Sequence, residues 1–119
     1  MTTARMVRQF HDKFSFPVSE TPAEPSEPLV RLRQKLLTDE VAEVAQAVEL
    51  GDLKNLAQEL ADVVYVAYGT ALTYGIDLDA ALAEVHRSNM TRSGSEGGKA
   101  GKGPGYEPPD LSRALGLDG

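Results

Sequence analysis

Apolar residues return every three or four positions along four stretches of this chain, and Gly, Pro and Asp separate the stretches. Met6, Val7, Phe10 and Phe14 follow Thr2 and Thr3, either of which can cap a helix, so a first helix is predicted over residues 3–14. Residues 17–28 hold four of the seven prolines, interleaved with Ser and Glu, and predict an extended connection able to cross a bundle end as a lid. After Pro28, residues 29–50 read as a long helix with Leu37, Val41, Val44 and Val48 as its stripe. Gly51 suits the left-handed position that closes this helix and Asp52 the N-cap of the next, over residues 53–74, with Leu56, Leu60, Val63 and Ala67 as its stripe. The two should fold back as a hairpin. From Val63 to Tyr68 the second helix is apolar on every side and calls for burial on every side. So short a chain has too little material to cover it, which predicts a helical partner, most simply a second copy. Gly69 either admits a neighbouring helix closely or marks a place where nothing larger fits. Gly75 ends the helix, and a fourth begins after Asp77 or Asp79, carries Leu78, Ala81, Leu82 and Val85, and ends near Ser88 or Asn89. Eight of the eleven glycines lie from Gly94 onward, where a flexible or irregular tail is predicted. The expected fold is an all-α bundle of four to five helices completed by homo-oligomerisation as a dimer or tetramer. Residues 1–92 would be its helical domain and 93–119 a Gly/Pro-rich tail.

Composition narrows the function classes. A net charge of -6 argues against a nucleic-acid-binding surface. There is no apolar run long enough to span a membrane and no signal-type apolar core near Met1, so a cytoplasmic protein without membrane contact is expected. The chain has no cysteine, which excludes thiolate metal sites and cysteine nucleophiles.

The hairpin gives the acids their meaning. Glu40 and Glu43 on one helix, and Glu59 and Asp62 on the other, each stand three residues apart and project in one direction, with Asp39 adjoining. Glu43 and Glu59 are about equally far from the turn, so the pairs should face each other. Two unit charges ~4 Å apart repel by roughly 4 kcal/mol at an effective dielectric near 20. Protonation relieves that, and so does a divalent cation, which also uses the oxygens as ligands. An all-carboxylate set suits Mg2+ or Mn2+. A di-iron site would want Glu-x-x-His, and neither His11 nor His86 follows a Glu at that spacing. The alternative for either pair is an ordinary solvated acidic face. Phe10 and Phe14, with His11 between them, are either core or an aromatic wall for a planar ligand. Arg87, Arg92, Lys99 and Lys102 form a positive run leading out of the bundle, suited to polyphosphate oxygens or else merely solvated.

Three segments carry a family resemblance: Asp39-Glu40-x-x-Glu43; Glu59-Leu60-Ala61-Asp62-Val63-Val64-Tyr65-Val66; and Val85-His86-Arg87-Ser88-Asn89-Met90 with the Lys102 to Leu111 continuation Lys-Gly-Pro-x-Tyr-x-x-Pro-Asp-Leu. Together they resemble the all-α nucleoside triphosphate pyrophosphohydrolases, which include MazG-like proteins, dimeric dUTPases and phosphoribosyl-ATP pyrophosphohydrolase. The resemblance implies Mg2+-dependent cleavage of a nucleoside triphosphate to monophosphate and pyrophosphate, in nucleotide-pool cleaning or dUTPase-like work. It implies Glu40, Glu43, Glu59 and Asp62 as catalytic metal ligands, with Asp39, at a position often Glu in the family, reaching metal only through water. It further implies Asn89 at the nucleoside and Arg92, Lys99 or Lys102 at the phosphates, with Tyr106, His11 and Phe14 among the substrate-binding residues. The competing readings are a phosphoribosyl-ATP pyrophosphohydrolase and a non-catalytic helical metal-binding module.

Overall fold

Side chains that cap helices stand where the periodic stretches begin. In the computed structural model, which describes residues 1–117, α1 spans Thr3–Phe14 and Thr2 Oγ1 accepts from the Arg5 amide at 3.2 Å. Helix α2 spans Glu27–Leu50, two residues earlier than the proline at 28 suggested. Pro28 lies in its first turn, where the missing N–H breaks no helical hydrogen bond, so it starts the helix instead of stopping the segment before it. Gly51, at φ 68°, closes α2, and Asp52 caps α3 (Leu53–Tyr74) through the Asn55 amide at 3.2 Å. Asp77 caps α4 (Leu78–Asn89) through the Ala80 amide at 3.0 Å. A two-residue ladder pairs β1 (Ser95–Glu96) with antiparallel β2 (Lys99–Ala100), and α5 (Leu111–Ala114) follows. The fold is all-α, and no described helix is long and apolar enough to cross a membrane.

Met1–Ile76 forms one unit, in which α2 and α3 pack along each other and α1 packs on α3. Val7, Ala47, Tyr68 and Ala71 are its buried apolar residues. The two stripes are only partly covered. Leu37, Val44, Leu56, Val63 and Ala67 are half-buried, whereas Val41 and Val48 on α2 are 58% and 57% exposed and Leu60 and Val64 on α3 are each 49% exposed. The chain alone leaves apolar side chains of both helices of the hairpin open.

The proline-rich connection has no helix, and backbone hydrogen bonds fasten it to the C-terminal turn of α3. The Ser19 amide donates to the Leu72 carbonyl and the Ala23 amide to the Tyr74 carbonyl, both at 2.9 Å. Gly75, at φ 72°, closes α3, and a Cβ there would collide with the Thr21 carbonyl. The connection is thus a strap over the helix end.

From Asp77 onward the chain forms a second unit, in which α4 packs on α5. Its centre is Glu84, 6% exposed, whose carboxylate accepts Arg87 Nε and Nη2 at 2.9 Å each, the Asp110 amide at 2.7 Å and Arg113 Nη2 at 3.3 Å. Ser88 Oγ donates to the Glu107 carbonyl at 2.7 Å. The glycine-rich segment is therefore irregular but tied to α4 by these bonds. Asp118 and Gly119, the end of the expected tail, lie outside the described residues.

Candidate metal centre and adjoining cavity

Helical spacing on α2 and α3 brings the acids together. Ligand atoms of Glu40, Glu43 and Glu59 all lie within 4.8 Å of one another. Glu40 Oε2 and Glu59 Oε2 are buried and have no hydrogen-bond partner among the described residues. The Glu40 carboxyl is held above the ordinary range by burial and then by the charge and hydrogen bond of Glu43. Glu59 is raised first by its hydrogen bond with Glu43, then by burial. Asp62, one turn along α3 from Glu59, adds its charge to both. Asp39 stands apart: it is exposed and its carboxylate accepts Lys35 Nζ at 2.9 Å. Two orphaned oxygens from two helices, in a set made only of carboxylates, fit a hard divalent cation, which would satisfy both lone-pair sets and remove the repulsion.

A cavity of about 390 Å³ lies further along the same α2–α3 seam, with Phe10, His11, Phe16, Arg33, Leu36 and Tyr65 among its lining residues. Leu36 precedes Glu40 by one helical turn and Tyr65 follows Asp62 by one, so the cavity adjoins the acids along the helices. The Phe10 ring meets those of Tyr65 and Phe16 edge-on, at 5.5 and 5.6 Å. His11, 2% exposed, faces the Pro17 carbonyl through Nδ1 at 3.4 Å. A carbonyl only accepts, so Nδ1 carries the proton and, in the neutral ring, Nε2 is an acceptor. Burial, aided by the Arg33 charge, depresses the imidazole pKa against the pull of the Pro17 hydrogen bond. Phe14, the other aromatic expected at substrate, is half-exposed and stacks on Phe16 at 5.6 Å.

Arg33 and Gly69 were not read from the sequence as parts of a site. Arg33 Nε donates to Thr70 Oγ1 at 3.2 Å and Nη2 to the Val66 carbonyl at 3.1 Å. A Cβ at Gly69 would stand 2.6 Å from Arg33 Nη2 and 2.8 Å from His11 Nε2, so the glycine makes room for these two side chains. The signal was present: Leu29, Arg33, Leu36 and Glu40 follow one another at steps of four, three and four residues, which puts a guanidinium on the inward stripe.

The remaining expected substrate residues belong to the second unit. Asn89 Oδ1 accepts Arg92 Nε at 3.1 Å. The Arg92 guanidinium lies 4.9 Å from the centre of the Tyr106 ring, and Lys102 Nζ lies 5.4 Å from it, so one aromatic ring carries two cations. Lys99 stands opposite Glu96 in the β1–β2 ladder.

Residues 7–89, more than two thirds of the chain, match the family model of phosphoribosyl-ATP pyrophosphohydrolase. An uncharacterized protein of Acanthamoeba polyphaga mimivirus is 40% identical over 50 residues, a segment that covers 42% of this chain and 20% of that protein. The chain thus matches about a fifth of that relative's length. With its all-α fold, paired carboxylates and a match through α1 to α4, this chain belongs to the phosphoribosyl-ATP pyrophosphohydrolase family of the MazG-like superfamily.

Proposed function

We propose that the chain is a Mg2+-dependent nucleoside triphosphate pyrophosphohydrolase that releases a nucleoside monophosphate and pyrophosphate, in nucleotide-pool or dUTPase-like service. The observation that carries this reading is the pair of buried, partnerless oxygens of Glu40 and Glu59 beside Glu43 and Asp62. Glu40, Glu43, Glu59 and Asp62 would hold the ion, and Asp39, already paired with Lys35, would act as a neighbouring charge. When bound, such an ion supplies charge neutralisation to the phosphates and acidifies water for attack on phosphorus. The bond broken is the α–β phosphoanhydride, with pyrophosphate as leaving group. In the same reading residues 1–92 are the catalytic domain and 93–119 a tail serving the substrate. Arg92, Lys99 and Lys102 are its phosphate contacts, Asn89 meets the nucleoside, and the Tyr106 ring steadies two of the cations. His11 and the aromatic rings of the cavity wall hold the nucleoside end away from water. A second copy of the chain covers Val41, Val48, Leu60 and Val64, as a dimer or tetramer.

The match to phosphoribosyl-ATP pyrophosphohydrolase favours a second reading with the same acids and a bulkier adenine-containing substrate. Pyrophosphate release measured over the common NTPs and dNTPs with Mg2+ tests the first. Turnover of none of them, together with rescue of a histidine-synthesis defect by this chain, would transfer the function to the second.

A further inference from the structure

The cavity wall holds a cation that its surroundings do not neutralise. Arg33 is 8% exposed, and its pKa is lowered by burial alone, with no carboxylate acting to raise it. Nε and Nη2 are occupied by Thr70 and Val66, and neither hydrogen bond uses Nη1. A guanidinium has five N–H donors and no acceptor, so the donors these two bonds leave over can take an oxygen or ring nitrogen that enters the cavity. The rest of the wall is shaped for a flat ring, with Phe10, Phe16 and Tyr65 presenting aromatic surface around a cavity of about 390 Å³. Arg33 is seven residues before Glu40 on α2, about 10 Å along the helix, a separation on the scale of a nucleoside between its base and its phosphates.

We infer that Arg33 is the specificity-determining residue of this site: its guanidinium donates from Nη1 to a ring carbonyl of the nucleobase, so that carbonyl-bearing bases are taken in preference to adenine. Uracil, thymine, cytosine, guanine and hypoxanthine each carry such a carbonyl. Adenine carries none, and its N1 and N7 acceptors each lie beside the exocyclic amine, which would turn a donor toward the cation. The inference deepens the nucleoside triphosphate reading above and rests on it, and it runs against an adenine-containing substrate.

The discriminating substrates are inosine triphosphate and adenosine triphosphate, which differ only at C6 and N1, where one carries a carbonyl with its ring proton and the other an exocyclic amine. Wild-type kcat/KM should favour the inosine compound by between about ten- and a hundredfold, the range for a hydrogen bond to a charged group. In Arg33→Met, which keeps the unbranched apolar stem of the side chain and loses every donor, that ratio should fall toward one. Binding of inosine against adenosine by calorimetry without metal should show the same preference in the wild type and its loss in the variant. Equal turnover of the two triphosphates by the wild type would overturn the role of Arg33 and leave the pyrophosphohydrolase reading standing. Failure to turn over any triphosphate, with no nucleoside preference in binding, would overturn both. Should Arg33→Met fail to fold by circular dichroism, the wild-type comparison decides by itself.

Discussion

Glu59 on α3 stands with a carboxylate oxygen within 4.8 Å of one of Glu43 on α2, and that neighbour, more than burial, lifts the Glu59 carboxyl above the ordinary carboxylate range. Carboxylates so close repel when all are ionised, so the cluster without a cation holds its protons more tightly than isolated glutamates do. The folded chain then binds protons more tightly here than the unfolded chain does. By linkage, the stability contributed by Glu40 and Glu59 is full below the unfolded value of 4.5 and is lost as pH rises through their raised values. His11, whose folded pKa is depressed, acts oppositely, its contribution being present above 6.5 and lost as pH falls through the folded value. Glu84, lowered to about 2 by Arg87 and the Asp110 amide, loses its contribution only below 4.5. Comparing the wild type with Glu59→Gln isolates the cluster, because His11 and Glu84 are common to both. Without metal, the melting temperature of the variant should gain on that of the wild type as pH rises from 5 toward neutrality, and added Mg2+ should reverse the order. A difference independent of pH would show that the acids do not repel.

Gly69 lies close against side chains of two other helices. Gly69→Ala places a methyl within 3 Å of both the Arg33 guanidinium and the His11 ring, two groups already buried. Overpacking of that kind costs about 1 to 3 kcal/mol, which outweighs the small gain in helix propensity. Denaturant midpoints check it, and a variant as stable as the wild type would mean that Arg33 moves freely.

The open face of the hairpin carries an assembly prediction. Val64→Glu puts a charge among the exposed apolar residues of the hairpin, where a second copy is proposed to sit, and should give monomers that keep their helical circular dichroism. Val66 would not serve this test, because it lines the cavity and its carbonyl receives Arg33 and Thr70. Sedimentation velocity is the measurement. A wild type that sediments as a stable monomer would remove the proposed partner.

The sequence was readable where local chemistry decides and opaque where distant residues meet. Helices α1 and α3 begin where Thr2 and Asp52 cap them, and α2 and α3 end at Gly51 and Gly75, because capping and left-handed glycine are local effects. The acid pairs were legible for the same reason, since three-residue spacing on a helix fixes a common face. The start of α2 was misjudged because proline is tolerated in a first turn as well as before one. Arg33 was passed over because its partners, Val66 and Thr70, lie 33 and 37 residues away, beyond what periodicity can report. The order of the glycine-rich segment was invisible likewise: Glu84 binds Arg113 and the Asp110 amide across 29 and 26 residues.

The central claim is that the carboxylates of α2 and α3 are the working centre, and pyrophosphate release with Mg2+ by the wild type beside Glu59→Gln and Asp62→Asn tests it most directly. Both variants should remain folded, since each removes a charge from a crowded cluster, and both should lose at least about a hundredfold in kcat/KM on every triphosphate the wild type accepts. Wild-type rates in both variants would show that the cluster is a solvated acidic face and that the chemistry, if any, lies elsewhere.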